Sequence, residues 1–393
     1  MTDRELRRRL LLLHAPDEIG AERRAWNVVR VAFEERQPER RPRPHLFRPL
    51  LAAAVALAVV GAVVNPPVLH AIRDAVTRER QTTVYRPALF SLPTSGRLLV
   101  NSSRGPWIVA PGGERRLLGP YREASWSPRG LYVAALGPHE LVALDPTGNV
   151  RWSLARSGQL ASPRWSPEIG GSTRIAYLRG QTLRMVAGDN TGDRLIAARV
   201  SPVAPAWRPG SRFVVAYVTA SGGIRVVDAD TQKVQWQSTP RPDRIQLAWS
   251  DDGARLAVLS PRSLVVFRGD GRRVGERRLH ARAITASFQP GTHRLAVVLR
   301  YPQQSAVVLV DGDAERSTPR VVFRADGNFT GAAWSPDAAW VVISWQSADA
   351  FMFVTPQGRQ NLVSDIGSQF GSRGKPSQVA TVAPTSWCCL APS

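Results

Sequence analysis

The sequence is short of the residues from which metal centres and cross-linked cores are built. Among 393 residues there are two cysteines, adjacent at Cys388 and Cys389, and six histidines. Neighbouring thiols supply neither a disulfide-stapled core nor a Cys-based zinc site. The histidines, scattered from His14 to His293, show no HxH or HxxxH pairing, so a His-ligated metal has no support. No GxSxG elbow, Walker loop or GxGxxG leading into a helix occurs. The expectation is a protein without cofactor or metal, and not an enzyme. Lysine is nearly absent, standing only at Lys233 and Lys375, so the net charge of +21 is carried by arginine. Those arginines are spread along the whole chain instead of lining one helix face, the pattern of an Arg-rich composition more than of a nucleic-acid patch. No nucleic-acid partner is expected.

Long apolar runs are absent with one exception. Pro49 to Val64 reads PLLAAAVALAVVGAVV and carries no charge. Its sixteen residues rise about 24 Å as a helix, and Leu46, Phe47 and a snorkelling Arg48 extend it toward a ~30 Å hydrocarbon core. Val68 to Ile72 follows the Pro66-Pro67 break. A secretory signal places its apolar region nearer the N-terminus, and a core helix without polar residues needs burial on every side. The expectation is one transmembrane helix over 49–72. Arg36, Arg40, Arg41, Arg43 and Arg48 precede it against Arg73, Arg78 and Arg80 after it, which places the N-terminus in the cytoplasm. The organisation expected is a cytoplasmic basic, amphipathic helical segment (1–48), the span (49–72), a juxtamembrane linker (73–85), a large repeat domain (86–365) and a C-terminal tail (366–393).

In the cytoplasmic piece, Pro16-Asp17-Glu18 is a helix start, with acids at the positive dipole end. Ile19, Trp26, Val29 and Phe33 fall on one face, and Glu22, Arg23, Arg30 and Glu34 on the other. The apolar face needs a cover. Two are open: the groove of a cytoplasmic protein, engaged by Trp26, Val29, Arg30 and Phe33, or an anionic lipid surface.

From about residue 90 the chain repeats. Trp126-Ser127-Pro128-Arg129-Gly130, Trp165-Ser166-Pro167, Trp207-Arg208-Pro209-Gly210, Trp249-Ser250-Asp251-Asp252-Gly253, Phe288-Gln289-Pro290-Gly291 and Trp334-Ser335-Pro336-Asp337 are spaced by 39, 42, 42, 39 and 46 residues. Strand-like runs follow each mark, such as Phe213–Val218, then Ile224–Val227, then Val234–Gln237. A period near 40 with several strands per unit is the signature of propeller blades, because a lone unit cannot cover both sheet faces and a ring removes the open ends. The tryptophans are expected to pack between blades. Phe90-Ser91-Leu92-Pro93-Thr94-Ser95-Gly96 is read as a degenerate first copy, which makes seven blades; six with an irregular lead-in is the other count.

The motif at Trp126, Trp207, Trp249 and Trp334 resembles the WD40-like propeller repeats of TolB-like bacterial envelope proteins. The resemblance covers about residues 86–365, with Phe288 in place of Trp and Ala338 in place of the turn glycine. It implies an all-β binding platform more than a catalyst. The whole arrangement resembles membrane-anchored anti-sigma factors, without the His and paired Cys of their zinc-type cytoplasmic part.

Few residues suggest chemistry. Asp228/Asp230 and Asp311/Asp313 read as turn carboxylates. Gly148-Asn-Val-Arg-Trp152 and Lys233-Val-Gln-Trp236 faintly resemble the strand motif of quinoprotein-like propellers. Cys388 and Cys389 are expected to stay reduced, to pair between chains, or to form a redox-sensitive tip, since joining them to each other closes an eight-membered ring. Val379–Val382 is expected to add to a blade edge. The function expected is a non-enzymatic, single-pass membrane protein whose extracytoplasmic propeller binds an envelope protein or glycan as sensor or scaffold, with signalling through the cytoplasmic helix. The alternative is an envelope enzyme using the propeller funnel, quinoprotein-like or lyase-like. The inner positions Ala124, Pro205, Leu247 and Ala332 are small or apolar, which favours the first.

Overall fold

A computed structural model describes residues 91–314, 318–371 and 382–389. The helical segment, the span at 49–72 and the linker lie outside the described residues. Among the described residues no helix is long and apolar enough to cross a membrane.

The repeat unit folds as a four-stranded antiparallel sheet, and there are seven such sheets. Six run in chain order. Blade 4 is representative: Ala206–Arg208, Val214–Val218, Ile224–Asp228 and Val234–Gln237. The two middle strands are largely apolar because both of their faces are covered; Val214–Val218 is buried at every position, while Ile224–Asp228 is buried except at Arg225. The outermost strands are mostly exposed, as at Val150–Ala155. The seven first strands touch one another in succession and the last touches the first, so they form a closed ring. The apolar interior divides into seven clusters, each drawn from two neighbouring blades. A blade's core is therefore its contact with the next blade, and no unit is stable alone.

The marks sit where the first strand turns into the second. Trp126, Trp165, Trp207, Trp249, Phe288 and Trp334 are all buried, each in a cluster between blades. The serine that follows explains the rest of the motif. Its hydroxyl accepts the backbone N–H that opens the next strand: Tyr132 to Ser127 at 2.9 Å, Arg255 to Ser250 at 2.9 Å and Trp340 to Ser335 at 2.9 Å. Ser250 donates in turn to Asp252 Oδ1 at 2.6 Å, which also accepts the Ala254 N–H at 2.9 Å. A buried hydroxyl thus pins a tight turn, and the chain passes through a left-handed residue to complete it: Gly130 (φ 64°), Gly253 (φ 65°) and Gly291 (φ 69°). In blade 7 the alanine at 338 is held at φ 60°.

Blade 1 departs from the expectation in an informative way. Its strands are Arg97–Ser102, Gly105–Val109 and Arg115–Leu117, and its innermost strand is Ala383–Cys388 from the far end of the chain. Leu98 pairs with Trp387 as Leu256 pairs with Trp249. Trp387-Cys388-Cys389 is therefore the seventh mark. Phe90–Gly96 is not a complete copy: the mark is divided between the termini, with Trp387 ending the inner strand and Gly96 (φ 100°) supplying the turn. The tail's strand lies just beyond the Val379–Val382 stretch and adds to the inner edge of blade 1's sheet, where Trp387 fills the slot between blades 1 and 7. The ring consequently extends past residue 365. Closure joins residues far apart in sequence, as where Thr385 Oγ1 donates to Leu99 O at 3.1 Å.

Candidate binding surface

Antiparallel order gives the ring two chemically different ends. The turns after the first and third strands, including every Trp mark, lie at one end. The turns after the second strand, and the connectors from one blade's outer strand to the next blade's inner strand, lie at the other.

At the mark end, charges are matched. Arg151 meets Asp145 at 3.0 Å, Arg194 meets Asp230 at 2.9 Å and Arg255 meets Asp313 at 2.6 Å. Arg129 pairs with Glu168 across blades 2 and 3. His293 lies between two carboxylates, with Nδ1 at 2.7 Å from Asp313 and Nε2 at 2.9 Å from Asp252. Burial alone would lower the imidazole's affinity for a proton, but the bonds to Asp313 and Asp252 outweigh it and hold His293 above its ordinary value. The turn aspartates are structural. Asp228 is buried and accepts the N–H groups of Asp230 (3.1 Å) and Thr231 (2.9 Å), and Asp311 accepts that of Asp313 at 2.8 Å. Among the described residues no group of three or more His, Cys, Asp or Glu is arranged to hold a metal ion.

At the connector end, arginines meet carbonyls or one another more than carboxylates. Arg122 donates to Gly137 O at 3.1 Å and Arg300 to Phe329 O at 2.9 Å. Arg282 and Arg300 are register partners at the mouth of blade 6. Burial lowers the proton affinity of Arg300, and the neighbouring Arg282 lowers it further. On the inner strand of blade 3, burial likewise lowers that of Arg164, opposed by Glu123. A groove of about 690 Å³ opens between Arg241–Asp243 and Ser260–Ser263, with Arg278 along its side. This end carries ion pairs too, Arg241 with Glu276 at 2.6 Å and Arg156 with Asp193 at 2.6 Å, but others of its arginines have carbonyl partners instead of acids. Nothing in the one-dimensional charge pattern announces it. The arginines come from connectors, hairpins and strand ends of several blades, and only the alternation of strand direction gathers them.

The sequence-derived site residues fall as follows. Trp26, Val29, Arg30 and Phe33 lie outside the described residues. Cys388 and Cys389 sit at the mark end, with their sulfurs joined in an intrachain disulfide. The chain turns at Cys389 (φ 55°), which brings the two sulfurs together over Gly130, where a Cβ would lie 3.0 Å from Cys389 Sγ. Arg97 crosses the same seam, donating to Gly130 O at 2.5 Å and lying 4.9 Å over the Trp126 ring. Ala124 and Leu247 point into the packing between blades and are buried, whereas Ala332 is half-buried on the inner strand. Trp152 and Trp236 are latches: each indole N–H donates to a glycine carbonyl of the next blade, Gly188 at 2.8 Å and Gly269 at 3.0 Å.

The described residues thus define a WD40-type, seven-bladed β-propeller. Solved structures similar to it are propellers of this kind. Kluyveromyces lactis Hsv2p is 17% identical with a TM-score of 0.51, covering 66% of this chain and 88% of its own. The β-propeller domain of Myceliophteria thermophila Cps50 (Swd1) is 14% identical with a TM-score of 0.53, covering 68% and 93%. At such identities the likeness is one of fold. No family model and no curated protein matches the sequence.

Proposed function

We propose that this chain is a partner-binding platform, with the arginine-rich connector end as its binding face and an acidic protein surface as its partner. The observation that supports this most is the uneven charge pairing of the two ends: at the mark end Asp145, Asp230 and Asp313 each meet an arginine, while at the connector end Arg122 and Arg300 meet only carbonyls, although Arg241 is paired with Glu276. A closed ring adds rigidity, so little ordering entropy opposes docking. In this reading residues 49–72 anchor the platform in a membrane with the propeller on the extracytoplasmic side, and Trp26 and Phe33 engage a cytoplasmic protein.

The test is capture by the full chain from cells, with cross-linking, against charge-reversed variants. Arg199→Glu combined with Arg262→Glu at the connector end is expected to abolish capture of the propeller partner, and capture is expected to weaken with salt. Arg272→Glu at the other end is expected to leave it unchanged; equal loss from both ends sinks the assignment. Trp26→Ala with Phe33→Ala is expected to remove a cytoplasmic partner only. Labelling of Cys388 and Cys389 by an impermeant thiol reagent in intact cells, after mild reduction, is expected for an extracytoplasmic propeller. Labelling only after lysis, beside a denatured control, refutes that topology.

A further inference from the structure

Among the described residues, one buried arginine makes no ion pair or hydrogen bond through its side chain: Arg244. Arg244 stands in the connector between blades 4 and 5, flanked by the exposed Asp243 and Ile245, yet it is itself only 8% exposed. Its Nε is buried without a hydrogen-bond partner, and no carboxylate lies within ion-pairing distance of its guanidinium. The backbone sets this placement. Asp243 adopts a left-handed conformation (φ 65°), which turns the following side chain inward. The connector is also fixed from below: Arg241 N donates to Gly222 O at 3.3 Å, and a Cβ at Gly222 would lie 2.0 Å from Arg241 O. The site is held in place, not loosely draped.

Arg244 lines a cavity of about 230 Å³ between the outer parts of blades 4 and 5. Arg241, Arg273 and Glu276 share it, and Val265 and Phe267 form an apolar wall. Glu276 is already engaged by both of its neighbours, Arg241 at 2.6 Å and Arg273 at 3.0 Å. The cavity therefore holds three guanidinium groups and one carboxylate, and the buried one is the one without a partner. A buried ion without a counter-charge is costly, and folded chains avoid it unless a ligand supplies the missing group. We propose that this cavity is a binding site for a small monocarboxylate, whose oxygens take the Arg244 fork and whose apolar stem lies against Phe267 and Val265. A carboxylate fits better than phosphate for two reasons. One planar fork matches two coplanar oxygens, and Val265 and Phe267 can receive an apolar stem, which phosphate lacks. The site adjoins the connector-end groove, sharing Arg241 and Glu276 with it, but its argument does not rest on the partner-binding reading.

The experiment is thermal denaturation and calorimetric titration of the full chain with benzoate, with inorganic phosphate as comparator. Benzoate is expected to raise the midpoint in a concentration-dependent manner, as a ligand of the native state does. Arg244→Lys, which keeps charge but loses the fork, is expected to bind roughly 10- to 100-fold more weakly. Arg244→Met is expected to lose the benzoate effect while its ligand-free midpoint equals or exceeds that of the natural chain, since it removes an unpaired buried charge. A merely structural arginine would instead lower that midpoint. Should the Met variant not fold, the Lys variant and Arg273→Gln carry the test. Unchanged benzoate affinity in the Arg244 variants, no benzoate effect on the natural chain, or a response to phosphate alone overturns the proposal.

Discussion

Replacing Trp387 with alanine attacks the one blade assembled from both ends of the chain. The side chain is 7% exposed and packs edge-on against Phe353 of blade 7, with ring centroids 5.7 Å apart. Its cluster includes Leu98 and Val100 from the N-terminal strand and Phe351, Phe353 and Val363 from blade 7. Truncation of a buried tryptophan costs about 3–5 kcal/mol, the aromatic pairing included. For a domain of this size that corresponds to a midpoint lower by about 6–15 °C. Trp152→Ala is the matched comparison, a half-buried outer-strand residue with a single latch to Gly188, expected to cost about 1–2 kcal/mol. Urea denaturation measures the difference, and amide exchange locates it. Amides of Leu98–Asn101 are expected to lose protection before those of blades 4 and 5, because the Ala383–Cys388 strand is held by no covalent continuity with its own blade. A cost below about 1 kcal/mol, or one equal to that of Trp152→Ala, would refute the assignment of Trp387 as the seventh mark and closing residue.

Other outcomes follow from single contacts. His293 has its proton affinity raised by Asp252 and Asp313, so its contribution is complete below its unfolded pKa, about 6.5, and is lost as pH rises through the higher folded value. Its stability against urea is expected to fall by up to about 1 kcal/mol over that rise, and His293→Gln is expected to remove the dependence; a variant with the same pH profile contradicts the sandwich. Ala338→Gly restores the residue that a left-handed turn favours, and a gain of about 0.5–1 kcal/mol is expected, read as a shifted urea midpoint; a loss would mean the turn does not strain alanine. Asp193 accepts from Tyr177 Oη at 2.7 Å, Arg156 at 2.6 Å and Arg184 at 2.8 Å. Asp193→Asn leaves those cations without a counter-charge and is expected to cost about 2–3 kcal/mol, with blades 2 and 3 losing exchange protection first; a neutral result would make the cluster incidental.

The blades were legible because their physics is local. A Trp before a Ser-Pro-Asp-Gly turn ends one strand and starts the next within a few residues, and the apolar runs after it declare a sheet covered on both faces. Blade number was legible too, but the seventh mark was sought in the wrong place. Phe90–Gly96 was the visible lead-in, whereas Trp387, standing 53 residues past Trp334 with cysteines in place of Ser-Pro, lost its resemblance to the motif. A repeat divided between the termini cannot be recognised by counting along the chain.

The functional surfaces were less legible, for a related reason. Asp228 and Asp311 read as turn acids, and Asp311 is exposed while Asp228 is buried; the backbone N–H groups they accept are visible only once the turn has closed. Arg244 is one arginine among many in the sequence, and nothing near it in the chain distinguishes it from Arg241. Sequence alone determined the sheet, its period and the closed all-β class, because hydrophobic periodicity and turn chemistry act over a few residues. Tertiary structure decided which strand closes the ring, how the arginines are gathered at the connector end, and which guanidinium is buried without a bonded acid. Those depend on residues brought together from different blades, and desolvation exists only after they meet.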